Sequence, residues 1–119
     1  MSAAYHVTLE KKLGAIAIQG LQASKTWGRI WFSLNPFDYP PMEYCHGALL
    51  RFPLPEKYSY DEQGSMDTEE YFAETSIHPG AIGILVTDKK WISLESFMES
   101  DEKPFQFKTI EELERAKIS

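Results

Sequence analysis

The longest uninterrupted run of apolar residues and glycine in this chain is the seven-residue Gly80 to Val86 (GAIGILV). A membrane-spanning helix needs about 20 such residues. The fold must therefore be assembled from short elements, cut apart by prolines and glycines. Tyr5 to Glu10 alternates apolar and polar residues, the period of a half-buried strand. Gly14 to Gly20 (GAIAIQG) is short, isoleucine-containing and flanked by glycines, and is expected to be a second strand. Trp27 to Leu34 and Cys45 to Phe52 read as a third and a fourth. Asn35-Pro36 stops one of them, and Pro53 and Pro55 close the other.

Between those two strands, Pro36, Pro40 and Pro41 exclude a helix and disfavour a central strand. The expectation is an extended loop displaying Phe37, Tyr39, Met42 and Tyr44. A second irregular stretch runs from Pro53 to Ser65, with Tyr58 and Tyr60 set among charges. Asp67 to Glu74 reads as a short helix. Asp67 and Glu70 have the spacing of a capping box, and the early carboxylates suit the positive end of a helix dipole.

Gly80 to Thr87 and Trp91 to Leu94 read as a hairpin, with Asp88-Lys89-Lys90 at its tip. Ser93 to Met98 is expected to start a short helix, and Pro104 to Lys108 to form an edge strand. Thr109 to Lys117 is expected to be a final helix. Thr109 and Glu112 form its capping box, and Glu111 and Arg115 a favourable pair four residues apart. The sum is a single α+β domain over residues 1–119, with a mainly antiparallel sheet of about six strands and two or three short helices. A chain that is 43% hydrophobic and 25% charged has enough apolar material for one such core.

Charge is distributed unevenly. Residues 1–51 carry five Lys and Arg against three Asp and Glu, whereas residues 52–119 carry seven against fifteen, giving −6 overall. Such a field repels nucleic acid and anionic membranes and attracts basic proteins. The N-terminus lacks the basic and apolar regions of a signal peptide, so the expected location is cytoplasmic.

Motifs for chemistry are weak. Cys45 is the sole cysteine, which excludes an internal disulfide and a thiolate zinc cluster within one chain. Cys45 and His46 are neighbours, but adjacent strand residues point to opposite faces and do not make a nucleophile–base pair. No His-x-x-x-His, His-Glu-x-x-His or Cys-x-x-Cys spacing occurs, and the acids of 61–70 lack the order of a calcium loop. The glycines form neither a phosphate loop nor a dinucleotide fingerprint. No metal, cofactor or catalytic residue is therefore expected, and the chain is not read as an enzyme.

The expected function is a small acidic inhibitor that binds a basic protein, in the manner of an immunity or anti-defence protein occluding a nuclease toxin. The candidate partner-binding residues are Tyr58, Tyr60, Asp61, Glu62, Asp67, Glu69, Glu70, Tyr71 and Glu74. Spaced carboxylates occupy a phosphate-binding cleft, and tyrosines belong to the types enriched at interface centres. The competing reading gives those acids no task beyond solubility. A second class of function is a small enzyme or small-molecule-binding domain, with an apolar pocket lined by Trp27, Trp31, Phe32, Tyr44 and His46.

Overall fold

The computed structural model describes residues 3–23, 28–34, 47–60, 71–87, 90–106 and 111. Strand β1 (Ala3–Leu9) leads through a 3-10 turn (Glu10–Lys12) into helix α1 (Leu13–Gln19). Six more strands follow: β2 (Ile30–Phe32), β3 (Gly47–Pro53), β4 (Ser59–Tyr60), β5 (Tyr71–Ala73), β6 (Gly83–Leu85) and β7 (Trp91–Ser93). Helix α2 (Leu94–Met98) comes directly after β7. These strands make two antiparallel sheets, ordered β1-β3-β6-β7 and β2-β5-β4. The α+β class and its antiparallel pairing thus agree with the sequence expectation, with seven strands among the described residues.

β3 is the spine of the larger sheet. Its GALLRFP sequence buries alternate residues on both faces, so it reads as a nearly continuous apolar run. Ala48, Leu50 and Phe52 join Ala4, Ile84 and Leu94 in the main core, while Leu49 pairs with Leu85 in a second cluster on the opposite face. Tyr5, Val7, Trp91 and Phe105 pack against that second cluster. The smaller sheet contributes Ile30, Phe32 and Ala73 to the main core. The two sheets meet at the Tyr5–Ser33 pair, where each residue donates its N–H to the other's carbonyl at 2.8 Å.

Two expectations are corrected. Gly14 to Gly20 is not a strand but the body of α1. Its buried or half-buried positions are Leu13, Gly14, Ile16, Ala17 and Gly20, which lie on one helix face, while Ala15, Ile18 and Gln19 are exposed, Ile18 by 80%. The alternation of isoleucine with alanine matched a strand period just as well, and the packing decides for helix. Gly20 ends the helix at φ 79°, where a Cβ would lie 2.0 Å from the Ile77 carbonyl oxygen. Glycine is required there both for the left-handed backbone and for the close approach.

Tyr71–Ala73 is likewise not the end of a helix. It is β5, the central strand of the smaller sheet. Local propensity was overridden by pairing on both edges, Tyr71 lying opposite Phe32 of β2 and Tyr60 of β4. The expected capping residues Asp67 and Glu70 lie outside the described residues.

β6 and β7 form the anticipated hairpin, with Leu85 opposite Trp91 and Gly83 opposite Ser93. Its first strand is shorter than expected, because Pro79–Ala81 is a 3-10 turn and the strand begins at Gly83; Asp88 and Lys89 of the tip lie outside the described residues. Ser93 caps α2, its Oγ accepting from the Ser96 N–H at 3.1 Å. Around Pro104 the chain bridges to Val86, the Phe105 N–H donates to the Leu85 carbonyl and the Thr87 N–H donates to the Lys103 carbonyl. The proline-rich loop 35–44, Cys45 and His46 lie outside the described residues. So do 107–110 and 112–119, which hold most of the expected last helix.

Candidate functional site

The three candidate tyrosines come together at one end of the smaller sheet. β4 and β5 place Tyr60 directly across from Tyr71, with ring centroids 5.4 Å apart and planes at 72°. Tyr58 meets the Tyr71 ring at 5.7 Å and 76°. Such edge-to-face contacts suit the ring quadrupoles and add about 0.5–1.5 kcal/mol beyond area burial. Beneath them lies Phe32, fully buried, at 5.8 Å from Tyr58 and 6.3 Å from Tyr71. Phe32 in turn packs edge-on against Phe52 of β3 at 5.9 Å. The tyrosines therefore stand on a rigid floor, yet Tyr58 and Tyr60 remain 40% and 52% exposed.

Of the expected carboxylates, Glu74 is described, exposed and just past the end of β5. Asp61, Glu62, Asp67, Glu69 and Glu70 lie outside the described residues. The segment that carries them runs from Tyr60 to Tyr71, so both of its ends are anchored at one cross-strand pair.

Beside the tyrosines is an open cleft of about 800 Å³, between Tyr58-Ser59 on one side and Phe72 to Thr75 on the other. Glu56 and Glu74 both contribute to its lining, as does Lys57. Phe72 points to the face of β5 opposite Tyr71 and Ala73, and there Arg29 stacks over its ring at 4.0 Å. The sequence reading missed this stack because it assigned Phe72 to a helix, where it has no cross-strand neighbour.

Of the alternative apolar pocket, Trp31 and Phe32 are the described members. Trp31 and Phe32 are consecutive on β2 and face opposite sides, Phe32 into the core and Trp31 away from it. Trp27, Tyr44 and His46 lie outside the described residues. His78 serves locally: its Nδ1 accepts from the Gly80 N–H at 3.0 Å and caps the Pro79–Ala81 turn.

Of the two described histidines, His78 is exposed and His6 is half-buried. Its Nδ1–H donates to the Trp31 carbonyl at 2.7 Å, tying β1 to β2. Burial pulls its pKa below the ordinary 6.5; the Trp31 bond offsets part of that shift, and the nearby Lys12 charge adds to it. His6 is therefore held neutral, with its proton on Nδ1.

Among the described residues, no three His, Cys, Asp or Glu side chains converge to hold a metal ion. No helix among them is long and apolar enough to cross a membrane. No protein-family model matches the chain, and neither a curated protein nor a solved structure is significantly similar to it.

Proposed function

We propose that this chain is a small acidic protein-binding inhibitor, of the immunity or anti-defence type. It acts in the cytoplasm by covering the active site of a basic enzyme such as a nuclease. The observation that carries the reading is the Tyr60–Tyr71 pair. Half-exposed tyrosines on a buried phenylalanine provide a preorganised anchor. Asp61, Glu62, Asp67, Glu69 and Glu70 depart from that anchor along the chain, and Glu74 follows β5. Carboxylates speed the encounter with a cationic cleft and set register, while aromatic rings supply the desolvated contact that slows dissociation. In this reading the chain performs no chemistry of its own.

The reading is tested by capturing a basic enzyme from native lysate on the immobilised chain at low salt. The captured enzyme's hydrolysis of nucleic acid is then titrated with free chain. Wild type should inhibit stoichiometrically. The Glu69→Lys, Glu70→Lys, Glu74→Lys triple variant should lose about tenfold or more in affinity, with most of the loss in association rate. A captured enzyme that works undiminished, or equal inhibition by the triple variant, removes the proposal.

A further inference from the structure

The cleft beside the tyrosines has walls that the inhibitor reading leaves without a task. It lies between residues 56–59 and 72–75, where β4 and β5 part beyond their last register pair, Ser59 with Phe72. These two residues are directly opposite, so their side chains stand on the sheet face away from Tyr60 and Tyr71. Two aromatic residues line the cleft, and each is braced from outside it. Arg29 stacks over the Phe72 ring at 4.0 Å. Phe32 and Tyr71 hold Tyr58 edge-on at 5.8 and 5.7 Å.

The polar lining narrows the class of ligand. Glu56, Lys57, Ser59, Glu74 and Thr75 line the cleft and are all exposed. Among the described residues, none of their side chains makes a hydrogen bond or an ion pair. An ammonium ligand would meet Lys57, and a carboxylate or phosphate would meet Glu56 and Glu74. A purely apolar ligand would strip water from these groups and give them no partner. A hydroxyl both donates and accepts, so it serves carboxylate, ammonium and serine alike. The C–H face of a sugar ring in turn suits the electron-rich face of an aromatic wall.

We propose that this cleft binds a neutral carbohydrate of one or two rings. One ring lies against Phe72, and its hydroxyls bond to Glu56, Lys57 and Glu74. The volume of about 800 Å³ is within the range of about 300–1,000 Å³ found for small-molecule sites. Arg29 is a positioning residue, which holds the Phe72 ring without touching the sugar. The site shares Tyr58 and Glu74 with the inhibitor reading but does not rest on it, because Phe72 faces away from the Tyr60–Tyr71 pair.

The test titrates the full folded chain with cellobiose, maltose, lactose and N,N′-diacetylchitobiose, followed by ¹H–¹⁵N NMR. Cyclohexylammonium and cyclohexanecarboxylate serve as charged ring probes. At least one disaccharide should shift the amides of Glu56 to Ser59 and of Phe72 to Thr75 saturably, and bind tighter than either charged probe. Phe72→Leu keeps apolar bulk but removes the ring, and should weaken that sugar about fivefold. Glu56→Gln, at an exposed position, should weaken it about tenfold. Arg29→Ala should weaken it and Arg29→Lys should restore it, with thermal unfolding unchanged in both. Tyr60→Ala should leave sugar binding intact, which separates this site from the tyrosine anchor. The proposal is overturned if no disaccharide binds saturably, or if the shifts centre elsewhere. Tighter binding of a charged probe overturns it too, as does unchanged affinity in Phe72→Leu or Glu56→Gln.

Discussion

The two sheets use the same antiparallel pairing for opposite ends. In the larger sheet the inner strands β3 and β6 are covered on both faces, and Leu49, Leu50, Ile84 and Leu85 are all fully buried. In the smaller sheet only one face is buried, by Ile30, Phe32 and Ala73, and the edge strand β4 is exposed at both of its residues. The larger sheet is where burial stabilises the molecule. The smaller one holds side chains at the surface in fixed positions. Burial and surface display are thereby separated within one short chain, and residues at the outer end of the smaller sheet can change with little effect on folding.

That separation is open to direct attack. The largest effect should come from Leu50→Ala on β3. Leu50 is fully buried in the main core, and its truncation should destabilise by about 3–5 kcal/mol in denaturant unfolding. A loss no greater than that of a surface change would mean that the larger sheet is not the stabilising one.

An intermediate effect should appear on acidification, because His6 joins the two sheets. Its folded-state pKa lies below 6.5, so the unfolded chain takes up the proton first. The contribution of neutral His6 is present above pH 6.5 and is lost as pH falls through 6.5 toward the folded value. His6→Gln should flatten stability across that window; an unaltered slope would place the pH dependence elsewhere. The smallest effect should be that of Tyr60→Ala, about 1 kcal/mol or less, because its ring is half exposed and gives up one edge-to-face contact. A larger loss in thermal unfolding would make Tyr60 part of the core and blur the division.

How far the sequence foretold this depends on where each element's signal lay. β1, β3 and the β6–β7 hairpin carry their signals locally, in alternation, glycine and flanking proline, and Ser93 carries the cap of α2. The segment 14–20 does not, because alternating alanine and isoleucine satisfies a strand period and a helix face alike. Only packing that buries Leu13 and Ile16 and leaves Ile18 exposed separates the two. Tyr71–Ala73 was misassigned for a complementary reason, since acids upstream favour a helix start and the strand exists through its partners. Tyr58, Tyr60 and Tyr71 were legible as candidates by residue type. Their convergence on Phe32 was not, since it follows from the β2-β5-β4 order. The stack of Arg51 over Trp91 depends on registers across three strands and left no mark along the chain.

The seam between the sheets has a mechanical consequence. The Tyr5 and Ser33 amides each give one bond and take one, so this rung cannot open by halves. A pull on the outer tyrosines travels along the backbone of β5 and β2 to that rung and the imidazole tether beside it, and through the side chains from Phe32 to Phe52 of β3. Strain at the rim is thus shared between β1 and β3, far from the rings where it starts.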